Sequence, residues 1–269
     1  MKKVLVYFFA FTGISNLCLA DSSITNAPLV NRFDLKYLGI FDGPSVIYPS
    51  KYMPDSEGRP DLSRPIQLTN YLMAGYKIST DFTVGSLLTF GYYPFLENSE
   101  FMIFDPAVRF THRGLFKSEN FKMIADLRIF VPTTSTSKKL EMVTALQSFQ
   151  MTEYSFPHSR WTIGSLSSLK LGIYTTKDLK VQNWSIYLAP NVNYYFNDNV
   201  SLSLFSGATV SQYSQKGSSH LEIEDPYLGP GANISVGDIF TFSPALVVPP
   251  NAPKLSNLSL LVFIVGRFF

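Results

Sequence analysis

The chain has 269 residues, 15% of them aromatic and only 16% charged, where an ordinary soluble domain carries about 25% charged residues. Its 22 basic residues nearly balance 20 acidic ones, which leaves no basic footprint for nucleic acid, and no nucleic-acid partner is expected. The single cysteine, Cys18, excludes a disulfide framework and a thiolate metal site.

At the N-terminus Lys2 and Lys3 precede an apolar run, Val4 through Phe11, that relaxes into Gly13, Ser15 and Asn16. This is the layout of a secretory signal peptide, with cleavage expected after Ala20 in Cys18-Leu19-Ala20. The chain thus divides into a signal peptide, 1–20, and a single mature domain, 21–269. Acylation of Cys18 is the rival reading, but lipoprotein processing favours a small residue just before the cysteine, and Leu17 stands there. Loss of Lys2 and Lys3 brings the 22 basic residues down to 20 against 20 acids, so the mature domain is formally neutral.

No mature segment suits a spanning helix. The longest apolar stretch, Leu258 to Phe269, is interrupted by Ser259, Gly266 and Arg267, well short of the roughly 20 residues required. A chain of this kind that enters a membrane must do so as a closed barrel, because only closure pairs every backbone group.

Period-two alternation is the dominant pattern. In chain order it marks 33–41, 66–78, 82–92, 102–111, 122–131, 140–154 (weakly), 163–176, 184–196, 200–211, 232–236, 240–246 and 256–269. Trp184, Ile186, Leu188, Pro190, Val192 and Tyr194 against Ser185, Tyr187, Ala189, Asn191 and Asn193 is the clearest case. The count of about twelve strands is even, as a single-chain barrel with both ends on one side requires. The expected fold is all-β: a transmembrane antiparallel barrel with up-and-down meander order. Connections near 79–81, 113–119, 155–160, 197–199 and 237–238 form a short set. Those near 43–64, 95–100, 133–139, 177–182, 214–226 and 249–254 form the other, with 43–64 and 214–226 the longest.

Charged residues fall on the face opposite the apolar one. Asp34, Lys36, Lys77, Asp105, Arg109, Lys122, Asp126, Arg128 and Lys170 are therefore expected to line the lumen, since a charge facing lipid at mid-depth costs about 2–4 kcal/mol. Such a lining either selects solutes by charge or fills a narrow interior with ion pairs.

The leader, the alternating strands and the terminal Phe269 resemble bacterial outer-membrane β-barrel proteins, over essentially all of 21–269. The resemblance implies residence in a Gram-negative outer membrane, contact with its lipid, and recognition of Phe269 by the barrel-assembly machinery. Arg267 departs from the family's alternating apolar ending. It fits a register in which Phe268, Ile264, Val262 and Leu260 face outward and Arg267 faces the lumen.

No catalytic site or cofactor is expected. The three histidines, His112, His158 and His220, are assigned to separate places, and no Gly-x-Ser-x-Gly elbow occurs. His220, Glu222, Glu224 and Asp225 offer ligands for a hard cation, but their spacing fits no calcium loop. Two functions stay open: a passive channel for small polar solutes, or a closed barrel whose loops 43–64 and 214–226 bind a partner outside the cell.

Overall fold

The computed structural model describes residues 32–45, 67–93, 100–176, 180–216, 218–237, 239–248, 250 and 258–268. The leader, much of loop 43–64 and Phe269 lie outside them. The strands are β1 (Phe33–Ser45), β2 (Gln67–Lys77), β3 (Phe82–Tyr93), β4 (Glu100–Ile103), β5 (Ala107–Lys117), β6 (Phe121–Phe130), β7 (Met142–Ser155), β8 (Trp161–Tyr174), β9 (Val181–Tyr195), β10 (Val200–Gln215), β11 (Ser218–Val236), β12 (Phe240–Val247) and β13 (Ser259–Arg267). One short helix, α1 (Ser135–Lys139), sits between β6 and β7.

The sheet is antiparallel in meander order, and β1 pairs with β13, which closes it. Because β4 and β5 both lie against β3, they form one interrupted stave, and the thirteen strands make a barrel of twelve staves. The short turns gather at one end with the start of β1 and the end of β13. We call this end lower and the loop end upper.

Polar side chains build the short turns. Asn197 Oδ1 accepts the Asn199 and Val200 amides at 2.9 Å each, while Ser79 and Ser118 hydroxyls accept the Phe82 and Phe121 amides at 3.1 and 3.2 Å. Each side chain satisfies backbone donors that a tight reversal would leave bare. At the last turn Gly237 has φ +58°, a left-handed conformation that glycine adopts without a Cβ clash.

Alternation sorts the side chains between the two faces. Leu88, Val108, Leu127, Ile186, Leu188 and Phe242 point outward and stay exposed although apolar. An apolar surface over most of the outside of a closed sheet is unsuited to water and matches hydrocarbon. The β5–β6 hairpin places Arg109 opposite Arg128 and Thr111 opposite Asp126 on the inner face, with Val108 (41% exposed) and Leu127 (40%) on the outer.

Four local expectations are corrected, the first being the connection placed at 113–119: β5 runs on to Lys117 and the turn is confined to 118–120. In the β4–β5 stave, Phe101 and Ile103 are outward and exposed, whereas unbroken alternation over 102–111 from the outward Val108 would put Met102 and Phe104 there. An extra residue between Phe90↔Ile103 and Leu87↔Ala107 bulges the stave at 104–106, where Pro106 has no amide to donate, and this turns Phe104 inward. Segment 214–226 is not a loop. Tyr213↔His220 and Ser211↔Glu222 continue the β10–β11 ladder as far as Gln215↔Ser218, so the hairpin stands well above Leu228↔Val248, the last pairing of β11 toward β12. Finally, β7 alternates poorly because its outer face itself carries Ser148, Gln150 and Thr152, aligned with Leu127, Ala125 and Met123 of β6.

At the closure, Lys36↔Arg267 and Gly39↔Ile264 put Arg267 on the inner face, and the Phe268 ring meets Phe240 outside at 5.8 Å. The register with Ile264, Val262 and Leu260 outward is the one observed.

Candidate functional site

The interior has two unlike walls. On β10, β12 and β13, with β1, a buried apolar cluster of Ala245, Val247 and Leu261 is packed by Ile40, Phe205 and Phe263. Facing it, β5 to β8 carry the charge.

Register explains that concentration. Antiparallel pairing aligns Gly85↔Arg109, Arg109↔Arg128, Arg128↔Gln147, Gln147↔Lys170 and Lys170↔Ser185. Strands stand about 4.8 Å apart, so one row across four neighbouring staves presents Arg109, Arg128, Gln147 and Lys170 side by side. These residues are up to 61 positions apart in sequence, and only the hairpin registers unite them. One carboxylate answers the row from the step below. Asp126, 3% exposed, takes Arg109 Nη2 at 2.7 Å and Arg128 Nε at 2.9 Å, and also accepts the Thr111 hydroxyl at 3.2 Å. Arg128 Nη1 donates to Gln147 Oε1 at 3.3 Å, its guanidinium lies 4.8 Å from the Phe149 ring, and Lys170 Nζ lies 5.1 Å from the Phe130 ring. Three cations against one acid leave the row net positive.

Bonds also cross the interior. Arg113 on β5 reaches Asp34 on β1 at 2.5 Å over two intervening staves, and Lys36 joins the same carboxylate at 3.0 Å. Gly75 and Gly85 leave the wall bare beneath that bridge. A Cβ on Gly85 would lie 2.0 Å from the Ala74 carbonyl oxygen, so no larger residue fits where the strands approach so closely. Tyr187 and Tyr227 share a hydroxyl contact of 2.5 Å across β10, and Tyr71 lies within electrostatic reach of Arg128, Asp42 and Tyr187. Side chains thus meet across one stave at Tyr187 and Tyr227 and across two at Arg113 and Asp34.

The nine charged residues selected from the sequence distribute as follows. Arg109, Asp126, Arg128 and Lys170 form the row and its counter-charge. Asp34 and Lys36 pair lower down, together with Arg113, which alternation alone did not single out because it lies in the irregular register between His112 and Phe116. Lys77 ends β2 opposite Thr83, and Lys122 is aligned with Glu153 near the lower rim. Asp105 is turned toward α1: its Oδ1 accepts the Thr133 and Thr134 amides at 2.7 and 2.9 Å, and its Oδ2 accepts the Ser137 hydroxyl.

Above the upper rim Lys180 Nζ stands 3.0 Å from Glu222 and His220 Nε2 2.7 Å, while Glu224 accepts the Tyr213 hydroxyl at 2.7 Å. Lys180 and His220 hold the Glu222 carboxyl below the usual carboxylate range. Of the carboxylates weighed as cation ligands, Glu222 is engaged by an ammonium and an imidazole and Glu224 by a phenol, and the described residues contain no metal-ligating cluster.

No protein-family model matches the sequence, and no curated protein matches it. Solved structures do resemble the fold. The COG4313 outer membrane channel from Pseudomonas putida F1 superposes with a TM-score of 0.56 and 11% identity, over 90% of this chain and 97% of that one. A NanC porin structure gives a TM-score of 0.49 and 7% identity, over 87% and 100%. The chain is a closed antiparallel β-barrel of twelve staves with the fold of the COG4313 outer membrane channel. At these identities the likeness extends to the fold alone.

Proposed function

We propose that this barrel is a passive channel in a Gram-negative outer membrane for small polar solutes, with anions preferred. The observation that carries the reading is the row Arg109–Arg128–Gln147–Lys170 facing the interior with Asp126 as its near counter-charge. A surplus of fixed positive charge between low-dielectric walls attracts anions and repels cations. The apolar wall opposite narrows the path and focuses that field. No catalytic step is invoked: the channel supplies a path, and the gradient supplies the drive.

Purified protein in planar bilayers tests this. Single-channel steps are expected, with a reversal potential in a salt gradient displaced toward anions, and Arg109→Ala is expected to reduce that displacement. A correctly folded barrel that passes no current overturns the channel reading and leaves a closed barrel acting through its upper hairpin. Localisation is checked separately. Recovery in the outer-membrane fraction with heat-modifiable gel mobility is expected, and recovery as soluble periplasmic protein ends the membrane reading.

A further inference from the structure

Above the charged row the interior opens into a chamber of about 380 Å³, within the range of roughly 300–1,000 Å³ typical of small-molecule sites. Asp105, Arg128, Gln147 and Lys170 line its polar side, while Phe104, Phe130 and Leu87 line its apolar side. Two donors there have no acceptor among the described residues. Arg128 gives Nε to Asp126 and Nη1 to Gln147, and among the described residues Nη2 makes no hydrogen bond. Lys170 Nζ, among the same residues, has the Phe130 ring as its neighbour and no ion pair. Asp105 lies within electrostatic reach of Lys170, yet both its oxygens are engaged by the segment leading into α1. Among the described residues around the row, Arg109, Arg128 and Lys170 outnumber Asp126 and Asp105 by one charge.

We propose that this chamber binds a small organic monocarboxylate with an apolar, preferably aromatic, body. Its carboxylate lies on Lys170 Nζ and Arg128 Nη2, and its body against Phe104 and Phe130. An ammonium and a guanidinium edge give charge-assisted hydrogen bonds to a carboxylate. A fully hydrated inorganic anion gains nothing from phenyl walls, whereas an aromatic acid buries its ring there. The inward turn of Phe104 at the bulge supplies one of those walls. The site deepens the channel reading and rests on it for how the ligand arrives, but occupancy is an equilibrium property that needs no flux.

The test is calorimetric titration of the full-length mature protein in detergent with benzoate, acetate, inorganic phosphate and benzylamine. Benzoate is expected to bind at least about tenfold more tightly than acetate or phosphate, and benzylamine not at all. Lys170→Gln is expected to lose about tenfold or more, Lys170→Arg to retain most of the affinity, and Lys122→Gln at the lower rim to leave it unchanged. Phe104→Ser, judged folded by heat-modifiable mobility, is expected to weaken benzoate while sparing acetate. Equal binding of benzoate and acetate, or benzoate binding indifferent to Lys170→Gln, overturns the proposal, as does the absence of benzoate binding. Conductance separates the two readings: current without benzoate binding sinks the chamber alone, and binding without current sinks the channel alone.

Discussion

At Asp126 a single carboxylate holds two guanidinium groups, and its 3% exposure means that little solvent stands ready to replace it. Removing one member of such a set strands the remaining charges, a loss of about 3–5 kcal/mol when the group is buried. Asp126→Asn keeps the shape and abolishes the charge, so it is expected to lower unfolding stability in detergent by an amount near that range. It should also raise the anion preference of any conducting barrel. Denaturant titration followed by tryptophan fluorescence reads the first effect and reversal potential the second. Unchanged stability would show that water in the lumen already screens the cluster. Arg109→Ala is expected to cost less, because Asp126 keeps Arg128 at 2.9 Å.

For the strands, side-chain facing is the property that substitutions expose. Leu127 is outward in the middle of β6, so Leu127→Arg is expected to destabilise the barrel by about 2–4 kcal/mol in lipid vesicles if it lies near mid-depth. Gln150 is outward in the middle of β7, where its amide bonds to Ser148 and accepts Ser167 Oγ at 3.1 Å. Gln150→Leu is therefore expected to be neutral or stabilising in vesicles, since it removes a polar group from surroundings that cannot solvate it. Strong destabilisation by Gln150→Leu together with tolerance of Leu127→Arg would invert the facing of both strands.

The upper hairpin carries a pH dependence of its own. Hydrogen bonds from Lys180 and His220 depress the Glu222 carboxyl, so its contribution is present above the unfolded value, about 4.3, and is lost as pH falls through the lower folded value. Backbone amide exchange near Leu221 and Ile223 is expected to lose protection in that acid window while β5 to β9 stay protected. Loss at neutral pH would rule out Glu222 as the cause.

For the molecule as a whole, closure is the decisive contact. Deleting 258–269 removes β13, which pairs with both β1 and β12, and leaves two strand edges whose donors and acceptors would face hydrocarbon. The truncated chain is expected to fail to insert, with no heat-modifiable band. Normal insertion of that chain would mean that another segment closes the sheet.

Strand number, meander order and all of the lower turns but the one placed at 113–119 were legible from alternation and turn residues, because a half-buried strand writes its facing into every second position. So was the inward facing of Arg109, Asp126, Arg128 and Lys170, each flanked by apolar residues of opposite parity. The hairpin above the rim was missed: His220-Leu221-Glu222-Ile223-Glu224 alternates, but such a run flanked by polar residues passes for a loop. What the tertiary structure alone decided is which inward residues meet. Alternation gives a side chain's face and is silent on its partner, since the partner depends on registers accumulated over several hairpins. A single extra residue, as at 104–106, shifts everything beyond it. That is why the row of Arg109, Arg128, Gln147 and Lys170, the bridge from Arg113 to Asp34, and the turn of Phe104 into the chamber exist only once the sheet has closed.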